Sequence, residues 1–295
     1  MGPCRADAFP RSPETPTRLC QACCVGVWKQ IIETIPWWSI PIFCFILISG
    51  LSMLARGLAQ RSSQEQRLKE IADYSQKLTS ATATGLFVLI GFCITMSWST
   101  FNAGQSAIDS QFSGADRILV ALDTSNLSEQ DRKDFSNNLA EYLDKASTED
   151  IESLRAGQIR PLPSDDFIYS LELAVIALTD ESKRMGEVTK QLLVTSLLDI
   201  VSGRAELQSV SNRVLPAGLL GLVFLAAMFV AMVMGASMSR VRRPYLLIGW
   251  ALVMSLALSV LIWLSQPFYA PLEIDVKSLS ELADVAREPK KYVDD

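Results

Sequence analysis

The sequence of 295 residues contains no histidine, and four long stretches of it contain no charged residue. Without histidine the chain lacks the commonest metal ligand and the usual near-neutral acid or base of catalysis. The uncharged stretches are residues 36–55, 81–100, 214–237 and 245–264. A bilayer core about 30 Å thick takes roughly 20 residues of helix, and a charge at its centre costs several kcal/mol. The four stretches are therefore predicted to be transmembrane helices.

The segment between the second and third predicted spans, residues 102–213, is acidic and helical in pattern. It holds 19 acidic and 11 basic residues, a net charge of −8. Apolar residues recur every three or four positions, which predicts three or four helices. The fold class is therefore all-α: a polytopic membrane protein with four transmembrane helices and a helical insert at 102–213. Nucleic acid is an unlikely partner, because its phosphates require a basic face.

Local signals mark several helix ends. The helix of the second span is predicted to continue out of the bilayer to about Asp123. Two pairs, Ser128 with Asp131 and Ser147 with Asp150, have the spacing of capping boxes, and Ser164 is predicted to cap a further helix. The membrane domain is assigned to residues 25–285. The tails, 1–24 and 286–295, are charged or proline-rich without an apolar repeat and are predicted to be disordered.

Cysteines and charges suggest no catalytic or metal centre. Cys20, Cys23 and Cys24 resemble half of a zinc ribbon, but no second cysteine pair or histidine follows at ligand spacing. No metal or cofactor is therefore predicted, and the absence of a nucleophile paired with a base argues against an enzyme. Arg204 is expected to form an ion pair with Glu206 or Asp199.

Basic residues concentrate in two segments beside the predicted spans, 56–80 and 239–244. Because Lys and Arg next to spans are retained on the cytoplasmic side, both segments are predicted to be short cytoplasmic loops. This topology makes both termini and residues 102–213 extracytoplasmic. Arg240, Arg242 and Arg243 in the second loop are expected either to fix the topology or to hold anionic lipid headgroups.

One stripe of the second span carries small and hydroxyl-bearing side chains at helical spacing. In one interpretation, copies of this stripe surround an axis and line an ion pore, with larger apolar residues as dewetting constrictions. In the other, the small residues let helices pack closely, as expected for Ala227, Ala231 and Gly235 on the third span. The candidate pore-lining residues are Thr84, Leu89, Phe92, Thr95, Met96, Ser99 and Asn102.

Three stretches together resemble the bestrophin-like family of bacterial membrane proteins. They are residues 85–117, residues 204–216 leading into the third span, and the motif Gln266-Pro-Phe-Tyr-Ala-Pro-Leu272 after the fourth span, in which Pro267, Phe268 and Pro271 are the family residues. Family members place Asp and Gly where this chain has Ser265 and Ala270. The resemblance implies the multi-pass topology of a bacterial inner membrane protein.

True bestrophins are more distant, and likeness to them implies a pentameric anion channel whose second span lines the pore. Bestrophins keep their middle domain in the cytosol, whereas the charge argument predicts the opposite here. The spans contain no titratable relay, which argues against a proton-coupled transporter. Two hypotheses follow: a homo-oligomeric passive ion channel in contact with lipid, or a non-conducting structural or sensory protein whose acidic helices bind an extracytoplasmic protein.

Overall fold

The computed structural model describes residues 36–61, 65–125, 127–156, 160–180, 186–212, 215–240, 245–269 and 271–288, and those residues contain helices but no strand. The two predicted tails lie largely outside this range, as do Cys20, Cys23 and Cys24. In chain order the α-helices are α1 Ser39–Arg61, α2 Glu65–Asp123, α3 Glu129–Ser147, α4 Glu149–Arg155, α5 Asp165–Asp180, α6 Glu187–Asn212, α7 Ala217–Ser237, α8 Tyr245–Leu264 and α9 Lys277–Arg287.

Four of these helices are long and apolar enough to cross a membrane, as the sequence predicts. The qualifying segments are Ser39–Arg61, Asp73–Asp123, Gly218–Ser237 and Tyr245–Leu264. The helix of the first span thus begins and ends later than 36–55, and the helix of the third span begins at residue 217 instead of 214. Only 17% of the apolar window of α2 is buried inside the chain, against 44% for α8. The second span therefore has the most surface left for lipid, water or another copy.

The prediction of a basic loop at residues 56–80 is wrong. Helix α1 continues to Arg61, and α2 begins at Glu65. Charged residues end a membrane span but not a helix, because Arg, Lys, Glu and Gln all have good helix propensity. Helix α2 is consequently 59 residues long, about 88 Å at 1.5 Å per residue, and its predicted end at Asp123 is confirmed.

One apolar core, the span cluster, joins α1, α2, α7 and α8. Its closest approach is at Gly235, where an added Cβ would lie 2.8 Å from the carbonyl carbon of Ser52. The hydroxyl of Ser52 donates to the Ala231 carbonyl oxygen, 3.0 Å away. The prediction that Ala227, Ala231 and Gly235 serve helix packing is confirmed, since all three are buried.

A second apolar core, the distal cluster, joins the C-terminal half of α2 to α3–α6, α9 and the segment after α8. Glycines bring α2 and α6 together: a Cβ on Gly114 would lie 2.6 Å from the Ser196 carbonyl oxygen, and one on Gly203 would lie 2.6 Å from that of Ala107. Helix α9 buries Leu279, Leu282 and Ala286. Ala286 and Arg287 are thus helical, and the predicted disorder from 286 onwards is wrong at these two residues.

One predicted capping box is confirmed and the other is wrong. The Ser128 hydroxyl accepts a hydrogen bond from the Asp131 amide, 3.1 Å away, and begins α3. The residue that precedes α4 is Thr148, without a side-chain cap. The Asp150 carboxylate is buried beside the distal cluster, where it contacts Ser164 and Arg204 instead of forming the predicted capping box with Ser147.

Candidate functional site

The predicted stripe of α2 lies opposite the side by which the helix packs in its own chain. At 100° per residue, Thr84, Thr95, Ser99 and Asn102 fall within about 40° of one line along the helix. All four are exposed. The buried residues of the same stretch, Leu86, Ile90, Cys93 and Ser97, lie on the opposite side. No other helix among the described residues covers this face, which we call the α2 outer face.

The hydroxyls of the two threonines are satisfied within their own helix. Thr84 donates to the Ser80 carbonyl oxygen at 2.8 Å, and Thr95 donates to that of Gly91 at 2.9 Å. Ser99 and Asn102 form no hydrogen bond within the described part of the chain. Because an amide carries two donors and an acceptor oxygen, Asn102 requires water or a polar group from another molecule.

The three predicted constriction residues differ in position. Phe92 and Met96 are exposed beside the stripe, at 60% and 45% of their maximal accessible surface. Leu89 is partly buried and packs against the span cluster. Phe92 and Met96 are therefore free to meet a neighbouring molecule across the α2 outer face, whereas Leu89 is held in part by its own subunit.

The family motif after α8 anchors the distal cluster to the end of the fourth span. Pro267 and Phe268 are buried, whereas Pro271 is exposed. The Arg155 Nε donates to the Phe268 carbonyl oxygen at 2.6 Å, and its guanidinium lies 5.9 Å from the Tyr269 ring centroid. These contacts indicate a structural role for Pro267 and Phe268. The position of the family's Asp holds Ser265, which is buried and bonded to the Ile262 carbonyl oxygen.

A buried charge cluster around Arg204 links α4, α5 and α6. The Arg204 Nη2 lies 2.8 Å from Asp165 Oδ1 and 3.4 Å from Asp150 Oδ2. The backbone N–H of Ser164 donates to Asp150 Oδ1 at 3.0 Å, and its hydroxyl donates to Oδ2 at 2.5 Å. The prediction that Arg204 pairs with Asp199 is wrong, because the Asp199 Oδ2 atom lies 2.9 Å from Arg117 Nη1. Arg204 instead reaches the two acids that the fold brings close to it.

Burial dominates the electrostatics of this cluster. Burial raises the pKa of Asp150 above its ordinary value of 3.8, although the Ser164 hydrogen bonds and the Arg204 charge oppose the shift. Burial also raises the pKa of the Tyr142 phenol, whose hydroxyl donates to Gln111 Oε1 at 2.8 Å. Arg204 Nε and Nη1 and Gln111 Nε2 are buried and have no hydrogen-bond partner among the described residues. The cluster thus connects three helices just before the third span, and two donors of Arg204 in it lack acceptors within the described ranges.

The described residues offer little for a metal centre, and the predicted headgroup site lies mostly outside them. No group of three or more Cys, Asp or Glu within the described ranges is arranged to hold a metal ion. Arg240 ends a short 3₁₀ helix, Met238–Arg240, after α7. Arg242 and Arg243 lie outside the described residues. The Gln60 side chain donates to the Ser239 carbonyl oxygen at 2.7 Å, which ties this turn to the end of α1.

Comparison with known proteins agrees with this architecture of four spans and a distal helical cluster. The model of the bestrophin-like domain family matches residues 46–279. The chain therefore belongs to the bestrophin-like family of membrane proteins, and the resemblance inferred from the sequence is confirmed. No curated protein matches the chain significantly.

Solved structures of a bacterial bestrophin homologue from Klebsiella pneumoniae, each carrying a single substitution, have a similar fold. One shares 13% identity, covers 85% of this chain and 99% of its own, and has a TM-score of 0.62. A second shares 10% identity with coverages of 83% and 97% and a TM-score of 0.64. A third shares 13% identity with coverages of 83% and 97% and a TM-score of 0.63. At these identities the likeness defines the fold.

Proposed function

We propose that this protein is a homo-oligomeric passive ion channel of a bacterial inner membrane, in which copies of α2 surround the conducting path. A pentamer is the assembly that likeness to bestrophins implies. The distal cluster forms a helical domain outside the bilayer, built from the segment between the second and third spans together with α9. Lipid surrounds the remaining faces of the spans.

The α2 outer face is the observation that carries this proposal. Thr84, Thr95, Ser99 and Asn102 lie opposite the chain's own bundle. The alternative of close packing between helices of one subunit loses its support for these residues, since no helix of the described chain lies against them. Lipid is a poor environment for the Ser99 hydroxyl, which lies within the span and forms no hydrogen bond in the described part of the chain, because hydrocarbon supplies neither donor nor acceptor. A water-filled path supplies both.

Reconstitution of the purified protein in planar bilayers tests the proposal. We expect single-channel current from the wild type, and a Ser99→Cys variant should lose current on addition of a charged thiol reagent. Leu256→Cys is the matched control, because Leu256 is also exposed in the chain but lies on α8. Wild-type protein treated with the reagent gives the baseline for the native cysteines. Absence of current from correctly assembled wild type would refute the channel.

The orientation is a separate part of the proposal. Basic residues flank the ends of α1 and α7, which places the junctions α1–α2 and α7–α8 in the cytoplasm and the distal cluster outside. Bestrophins have the opposite arrangement. Reporter fusions at residue 150 and at residue 295 should both report the extracytoplasmic side. A cytoplasmic signal at residue 150 would reverse the assignment and leave the proposed path intact.

A non-conducting protein with an extracytoplasmic protein partner is the second candidate function, and an exposed apolar face favours it. Tyr169, Leu173 and Ile176 on α5 are exposed at 62%, 50% and 61%. Crosslinking and pull-down should then capture a second protein with the wild type and not with Leu173→Arg. Asn137→Arg on the exposed surface of α3 adds the same single charge and is the matched control. Capture of the same chain alone would count against this function.

A further inference from the structure

The α2 outer face continues beyond the membrane span and meets an unpaired carboxylate. Asp109 is seven residues beyond Asn102, about 10 Å along the helix, and lies within about 40° of the same line. Its side chain is exposed. Within the described part of the chain, Asp109 has neither an ion-pair partner nor a hydrogen-bond donor.

The other charges of this face do not offset Asp109. Arg117, two turns farther on, is held by Asp199 through an ion pair of 2.9 Å. Lys77 is exposed at the opposite end of the span, 32 residues or about 48 Å from Asp109. Asp73 shares that end, so the two charges there balance. Among the described side chains of this face, the uncompensated charge therefore lies at the distal end, and it is negative.

We propose that Asp109 is the charge-selecting residue of the path along α2 and that the path prefers cations to anions. This inference depends on the proposed channel. A ring of copies places several carboxylates around the axis at the distal mouth. Rings of Asp or Glu raise the local concentration of cations and repel anions. The preference is opposite to the anion selectivity that likeness to bestrophins implies.

The surrounding charges favour the same ion. Residues 102–213 have a net charge of −8, so the field around the mouth adds to that of Asp109. Salt screens such a field: the Debye length is about 10 Å at 0.1 M and about 3 Å at 1 M. Cation preference should therefore weaken as the salt concentration rises.

The test is the ratio of K⁺ to Cl⁻ permeability in planar bilayers under a KCl gradient. We expect a ratio above one for the wild type, a ratio lowered several-fold by Asp109→Asn, and a ratio below one for Asp109→Lys. Glu281→Gln removes the same charge from another exposed carboxylate, on α9, and should leave the ratio unchanged. Wild-type protein at about 0.1 M and about 1 M salt gives a second measurement without substitution.

The outcomes separate the two proposals. Current with an unchanged ratio in both Asp109 variants, or a wild-type preference for Cl⁻, would overturn the role of Asp109 and leave the channel standing. A ratio that does not change with salt would also overturn it. Absence of current from assembled wild-type protein would refute the channel itself, and the selectivity of its mouth with it.

Discussion

Replacing Asp150 by alanine should release α4 and α5 from α6. The side chains of Asp150 and Arg204 are only 5% and 7% exposed. The substitution removes one of the two carboxylates that Arg204 contacts in the described part of the chain, leaving Asp165, and it removes the acceptor for both Ser164 donors. Removing one partner of a buried ion pair costs about 3–5 kcal/mol, because the other charge stays buried. Asp165→Ala should cost only about 1 kcal/mol, since Asp165 is 41% exposed and solvent screens its charge.

Amide hydrogen exchange of the purified protein in detergent measures this difference locally. A cost of 3–5 kcal/mol corresponds to about 10²–10⁴-fold faster exchange in peptides from α4 and α5. Peptides from α8 should exchange as in the wild type. The double variant Asp150→Leu with Arg204→Met should regain most of the protection, because apolar residues of similar volume often replace a buried pair at little cost.

Equal protection in Asp150→Ala and Asp165→Ala would refute the reasoning. It would mean that the burial of the Asp150 carboxylate does not determine the free energy lost when it is removed. A double variant whose loss equals the sum of the losses in Asp150→Leu and in Arg204→Met would refute it as well, since the two losses would then be independent.

Three further predictions concern stability. Because burial raises the pKa of Asp150 above 3.8 in the folded protein, protonation of Asp150 stabilises the fold, and this contribution is lost as the pH rises through the raised pKa. The unfolding midpoint of the wild type relative to Asp150→Asn should therefore rise as the pH falls from neutral towards 3.8, and a fall would contradict the prediction. Gly235→Ala should destabilise the span cluster by about 1–3 kcal/mol in thermal unfolding, because the added methyl meets the backbone of α1. Gly221→Ala, with open space around the Cβ, should be neutral, and equal effects would count against the close approach. Ser128→Ala should cost about 1 kcal/mol through the lost cap of α3. Thr148→Ala should cost less, because it removes no cap of α4 and only an exposed hydrogen bond to the Asp144 carbonyl oxygen; the reverse order in denaturant unfolding would be inconsistent with the caps.

The spans were predictable from the sequence because a single property, the absence of charge over about 20 residues, decides them. For α2, the sequence predicted where the helix ends but not where it begins. Its end at Asp123 follows from apolar spacing, but its start at Glu65 does not, since basic residues beside a span are compatible with either a loop or a helix.

The charge cluster was not predictable, because its members are far apart in sequence. Arg204 was expected to pair with acids nearby in the chain. The fold instead brings it to Asp150 and Asp165, 54 and 39 positions earlier in the numbering. Asp150 also has the spacing of a capping residue, and only its burial distinguishes the two roles. Likewise, the stripe on α2 is visible in the sequence, but the side of the helix that faces away from the bundle is not.

The most direct test of the account is the structure of the oligomer in lipid nanodiscs at a resolution that shows side chains. The account predicts copies of α2 around one axis, with Ser99 and Asn102 facing a water-filled path and Asp109 at its distal mouth. An assembly in which lipid or a neighbouring helix covers Ser99 and Asn102, with no open path beside them, would contradict it.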